Sequence, residues 1–297
     1  MTVLCVTGLG WAQGSLTIEP RLVSLGSFSA QNPGSNQLNP GTTTVRISSA
    51  NPWSLYVTLV QPPRRLSDNL ELPLERVQQL FPDLSQLCGY IPVRLDYGPG
   101  ESDEQVISYD WQVAQSRIAE YLDEADPPGI YCFTVRVELQ ARDSTSMGSG
   151  ILLVTEFTVQ PRVEIELISS DWVVPVEHPG EPAESEPMYL RVRSNCAWAL
   201  EMIWGGDLYT RGGFRLERDR LTWRVEPGQD WQSMAPDYVP FRSGAVVAAH
   251  GSAPPAFTLA EVEIPFQLRV ATDRVTVAGN YLQDIKFRLH ADNPASK

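Results

Sequence analysis

Apolar and polar residues alternate in short runs along most of this chain, and the period is that of a β-strand. In VRISSANPWSLYV (residues 45–57), Val45 and Ile47 share one face; after a polar step, Trp53, Leu55 and Val57 share one face as well. Near the C-terminus Tyr281, Ile285, Phe287 and Leu289 fall on one side, with Asp284, Lys286, Arg288 and His290 on the other. A period of two with one apolar side marks a strand that buries a single face. Proline- and glycine-rich clusters punctuate the runs: QNPGSNQLNPG, DYGPGESDE, ADPPG, EHPGEPAESEP and HGSAPP. Each is a turn signal. One helix is expected at LERVQQLFPDLSQL, cut short by Pro82, whose ring and missing N–H break the helical ladder.

The runs repeat. VRISSANPWSLYV aligns without a gap with LRVRSNCAWALEM (residues 190–202), so that Arg46 meets Arg191, Trp53 meets Trp198 and Leu55 meets Leu200. LER follows at Leu74–Arg76 and again at Leu216–Arg218; WQV from Trp111 then matches FQL from Phe266. Finally GIYCFTVRVEL (residues 129–139) matches GNYLQDIKFRL (residues 279–289). Four blocks in one order indicate an internal duplication, and each block reads as a strand. Many short strands joined by turns imply sandwiches rather than one large sheet. The expected fold is all-β: two tandem immunoglobulin-like β-sandwich domains, residues 15–160 and 161–297. An extra strand of the first domain, residues 151–160, is hairpinned through DSTSMGSG; a boundary near Asp143 would give that strand to the second domain instead.

Residues 1–14 read as a shortened secretory signal. Val3 to Trp11 are largely apolar, and Ala12, Gln13 and Gly14 supply small and polar residues for a cut, although a basic start is missing. The competing reading is an ordinary buried strand. The 297 residues carry a net charge of −13, which disfavours nucleic acid and anionic membranes as partners. Lysine occurs only as Lys286 and Lys297. No apolar run of about 18 residues is present, so no transmembrane span is expected. With Cys5 removed in a signal, Cys88, Cys132 and Cys196 remain. Cys132 lies on the face opposite Phe133, Val135, Val137 and Leu139, away from the core. A Cys88–Cys132 bridge is open to it in an oxidising compartment, but spacing does not set that geometry.

The closing block resembles the last strand of bacterial surface β-sandwiches, the spore coat protein U-like and pilin-like domains. Gly279, Tyr281, Ile285 and Phe287 carry the resemblance, as do Gly129, Tyr131, Val135 and Val137. It spans about 11 residues per copy, and the acid two places after the tyrosine is replaced by Phe133 and Gln283. The resemblance implies an extracellular structural or adhesive role and no catalytic residue. ADPPGIYC is also similar to an immunoglobulin strand, but Gly129 and Tyr131 are displaced by one, which reverses the faces, so that family is not assigned. Tyr131 and Tyr281 are expected to act as corners, with a buried ring and a hydroxyl bonded to a neighbouring loop.

Candidate chemistry is sparse. His178, His250 and His290 stand in unrelated settings, and the sequence holds no His-x-x-x-His, Cys-x-x-Cys or Gly-x-Ser-x-Gly pattern. No catalytic, cofactor-binding or metal-binding residue is assigned, and no enzyme activity is expected. Glu101, Asp103, Glu104, Asp123, Glu124 and Asp126 form acidic loops of the kind that hold calcium, but without its alternating ligand spacing; they read as solubilising charge. Trp53 and Trp198 read as core. Around IWGGDLYTRGG, Trp204 and Trp231 are candidates for stacking on a sugar, with Asp207 and Tyr209 as polar contacts; Trp223 fits an inward strand phase. The leading expectation is a secreted or cell-surface, non-catalytic structural or adhesive protein of an envelope, spore surface or appendage. Its partners would be other surface proteins or its own copies. A carbohydrate-binding protein is the first alternative and an unrecognised enzyme the second.

Overall fold

The computed structural model describes residues 14–39, 41–80, 93–99, 101–141, 150–168, 172–178, 180–229, 231–242, 244–273 and 276–292. The chain divides into two compact units: Met1–Asp123 with Gly129–Gln160, and Glu124–Pro128 with Pro161–Lys297. Each is an immunoglobulin-like β-sandwich, so the expected all-β class holds. Residues 1–13 of the proposed signal, Pro82 and Cys88 lie outside the described residues, while Gly14 opens a strand.

In the first unit the strands are β1 (Gly14–Glu19), β2 (Leu22–Phe28), β3 (Gln37–Leu38), β4 (Thr42–Ser49) and β5 (Trp53–Arg65). Helix α1 (Leu74–Leu80) follows, then β6 (Val93–Gly98), β7 (Glu101–Asp110), helix α2 (Gln112–Tyr121), β8 (Gly129–Ala141) and β9 (Gly150–Val159). One sheet has the order β1-β4-β7 and the other β3-β2-β9-β8-β5-β6. In the second unit come β10 (Val163–Leu167), β11 (Pro182–Glu184), β12 (Met188–Ser194), β13 (Trp198–Trp204), β14 (Leu208–Tyr209) and β15 (Arg215–Leu216). They are followed by β16 (Leu221–Val225), β17 (Trp231–Ser233), β18 (Val239–Pro240), β19 (Gly244–Gly251), β20 (Ala260–Ala271) and β21 (Ile285–Ala291). Its main sheets are β10-β12-β20-β16-β18, with β11 also on β20, and β17-β19-β13-β21.

The two units repeat one pairing scheme, register included. Trp53 lies opposite Gly98 on β6 and Ala141 on β8. Trp198 lies opposite Gly251 on β19 and Ala291 on β21. Leu55 faces Leu139, and Leu200 faces Leu289. Both indoles are buried flat on their glycine: a Cβ at Gly98 or Gly251 would overlap the ring. In the facing sheets β4 runs between β1 and β7 as β12 runs between β10 and β20. Val45, Ile47, Leu55 and Val57 close one core; Leu190, Val192, Leu200, Met202 and Phe266 close the other. Burying each large apolar side chain stabilises by about 2–3 kcal/mol, which is why the inward phase recurs in step.

Two of the four matched blocks are not both strands. LER opens helix α1 in the first unit but spans β15 and a 3-10 turn in the second. WQV begins helix α2, whereas FQL lies inside β20; the counterpart of β20 by pairing is β7, which ends one residue earlier. Helix α2 has no clean apolar stripe because a glutamine sits on its buried face. Gln115 donates from Nε2 to the carbonyls of Leu25 (2.9 Å) and Asn39 (2.7 Å). Asp110 Oδ1 accepts the Gln112 N–H (2.9 Å) at the start of the helix.

The second unit also holds Glu124–Pro128. Asn195 Nδ2 donates to the Glu124 and Asp126 carbonyls (3.2 and 2.9 Å), and Arg162 is ion-paired with Glu124. Cys196 is buried beside the Ser194 hydroxyl, and Cys132 is partly buried. Burial raises both thiols above the ordinary cysteine range.

Candidate functional site

The closing strands differ in what covers them. β8 lies between β5 and β9, and β9 in turn pairs in parallel with β2. The inward side chains of β9, among them Leu153, Phe157 and Val159, are buried, and Phe157 stacks on Tyr131 with centroids 5.4 Å apart. In the second unit β21 pairs with β13, and among the described residues no strand lies along its other edge. That edge therefore presents backbone N–H and C=O groups without ladder partners.

An apolar shelf accompanies the open edge. Ile285, Phe287 and Leu289 point inward yet are only half-buried, packed against the core beneath them. Phe287 meets the fully buried Phe266 edge-on at 5.1 Å. Across Phe266, Trp172 makes a second edge-on contact at 6.1 Å, anchored by its Nε1 donating to Ser185 Oγ (2.8 Å). Residues 172–177 follow β10 as β2 follows β1, but they lie in no strand. A cleft of about 410 Å³ beside Trp172 is lined by Val173, Pro175, Glu184, Glu186, Pro187 and Met188. In the first unit the strand between the equivalents of these two walls is β9.

Of the glycan residues expected from the sequence, the structure encloses Trp204 and leaves Tyr209 exposed. Trp204 is 5% exposed and stacks on Phe241 at 4.2 Å, so it offers no face to a sugar; the enclosed core takes that ring. Tyr209 is 50% exposed. Asp207 accepts from the Arg218 backbone N–H (2.9 Å) and from Arg215 Nε (2.6 Å). These interactions, the backbone hydrogen bond first, hold its carboxyl below the usual carboxylate range. Trp231 lies on β17, at the far side of that sheet from β21. Trp223 is buried, as its phase implied. Among the acidic-loop residues, Glu104 is engaged by Arg46 (3.2 Å), and Glu124 by Arg162. Asp126 is buried, while the side chains of Glu101 and Asp103 lie outside the description. Tyr281 has the expected corner bond, its hydroxyl donating to the Val277 carbonyl (2.8 Å).

No known protein family matches the sequence, and no curated protein is similar to it. Solved structures do show distant similarity. One is a chain of the CsuC–CsuE chaperone–tip adhesion subunit pre-assembly complex from archaic Csu pili of Acinetobacter baumannii, with a TM-score of 0.34 and 11% identity over 93% of this chain and 99% of that chain. Another is CfaE, the adhesive subunit of CFA/I fimbria of enterotoxigenic Escherichia coli, with a TM-score of 0.35 and 12% identity over 86% of this chain and 74% of that chain. Neither is a spore coat protein, and neither assigns a residue here.

The open edge itself left no trace in the sequence. β21 carries an apolar face as regular as that of β8, and alternation records which face is buried without recording how many neighbours the strand has.

Proposed function

We propose that this chain is a non-catalytic structural or adhesive protein of a cell surface or appendage, and that its second unit assembles by accepting a β-strand from another polypeptide. The observation that carries this reading is the edge of β21. The first unit fills the corresponding place with its own β9, while the second leaves Ile285, Phe287 and Leu289 half-buried above Phe266. Strand addition satisfies the edge amides and covers the apolar shelf in one step. Alternating inward residues supply the fit, and β9 itself (GILLVTEFTV) gives the template.

Amide hydrogen exchange on the full chain tests this directly. Alone, β21 is expected to exchange far faster than β8; with a solubilised peptide copying residues 150–159 in excess, β21 slows. Protection of β21 equal to that of β8 in the chain alone sinks the reading. A glycan-binding role would rest on Tyr209 and Asp207. A sugar signal on an array that disappears in Tyr209→Ala would restore it.

A further inference from the structure

The outward face of β21 states what kind of strand it takes, given the strand-accepting role proposed above. Lys286, Arg288 and His290 alternate along that face. The neighbouring β13 offers them one acid: Glu201 lies directly opposite Arg288 (3.8 Å) and reaches His290 (3.0 Å). Lys286 lies opposite Ile203. Arg288 is 60% exposed. In a chain of net charge −13, the outward face within β21 is basic, with Asp284 preceding it on the same side.

The opposite sheet of the same unit shows how such a row is completed. On β12, which lies between β10 and β20, Arg191 is directly across from Glu166 on β10 and from Glu263 on β20, at 3.1 and 2.9 Å. Arg193 lies across from Glu164 and Glu261 in the same manner, at 4.0 and 3.3 Å. Each arginine on that strand has a glutamate opposite on both flanking strands. Arg288 on β21 has a glutamate on one flank only, and along its other flank no strand lies among the described residues.

We infer that the strand received by β21 carries carboxylates at the outward positions opposite Lys286 and Arg288, alternating with apolar residues facing inward. Cross-strand pairs of opposite charge favour that register and like charges oppose it. Two β21 edges meeting antiparallel would set cations against cations, so the row also deters pairing with a second copy through this strand. Residues 1–13 of the chain contain no carboxylate and do not meet the requirement.

The test uses the full chain and three peptides with the inward residues of β9 and with Glu, Ser or Lys at the two outward positions. The Glu peptide is expected to bind about five- to tenfold more tightly than the Ser peptide at low salt, and the Lys peptide more weakly still. High salt compresses the order. The double variant Lys286→Glu/Arg288→Glu reverses it, and Lys286→Ser/Arg288→Ser flattens it. Equal binding of all three peptides overturns the charge preference and leaves strand acceptance standing. Binding of none of them, with the chain folded by circular dichroism, overturns both. A concentration-dependent dimer of the chain that excludes the peptides gives the edge to a second copy and overturns the acidic partner.

Discussion

β8 and β21 hold the same register against their tryptophan strands and end in different surroundings. Tyr131, Phe133, Val135 and Val137 on β8 are buried. Ile285, Phe287 and Leu289 on β21, and Tyr281 just before it, are half-buried. The inward residues of the two strands are similarly apolar, so their own composition does not explain the contrast. β9 does: it brings Leu153, Phe157 and Val159 over β8 and pairs its free amides. A strand's burial is decided by its neighbours: the first unit lays β9 along β8, and among the described residues no strand lies along the outer edge of β21.

The largest expected effect tests whether the two units are energetically alike. Trp53→Ala and Trp198→Ala should each cost about 3–5 kcal/mol, measured by denaturant unfolding of the affected unit. A small loss at one and a large loss at the other would break the equivalence. The next comparison targets the difference. Phe157→Ala should also cost about 3–5 kcal/mol, because its ring is enclosed against Tyr131. Phe287→Ala should cost roughly half that in the chain alone, the gap narrowing once a strand peptide is bound. Gly98→Ala and Gly251→Ala should each destabilise by about 1–3 kcal/mol, since the added methyl collides with an indole that has no room to retreat. Asn195→Ala removes two hydrogen bonds to the Glu124 and Asp126 carbonyls and should cost about 1–2 kcal/mol, seen as a lower unfolding midpoint for the second unit alone.

The smallest effect concerns acid. Asp68 in the first unit is held down to about 2, first by its hydrogen bond from Arg65, and Asp207 in the second is lowered by Arg218 and Arg215. A carboxyl depressed by folding contributes stability at pH above its unfolded value near 4, lost as the pH falls through its folded value. Both groups are near the surface, so solvent screens the gain, and carboxyl titration by NMR is the appropriate measurement.

Much of the architecture was legible along the chain. Alternation marked the tryptophan strands and the closing strands, and the ungapped alignment of Trp53 with Trp198 and of Leu139 with Leu289 carried over to the observed registers. The legible part is local, because inward and outward phase is written in successive residues. Helix α2 was hidden because its buried position is Gln115, whose amide reaches two backbone carbonyls and erases the apolar stripe. The LER blocks matched in letters and parted in structure, because three residues do not set a conformation that the surrounding chain can override. Trp204 read as a platform beside GGD, and Phe241, 37 residues on in sequence, encloses it.

By itself, then, the sequence determined the strand period, the buried face of the matched strands and the correspondence of Leu55 with Leu200 and of Leu139 with Leu289 between the two copies. Only the tertiary structure decided which of the described strands has no neighbour along one edge and that the Trp204 ring is enclosed. Alternation is a property of neighbours in the chain, whereas an edge is a property of neighbours in space.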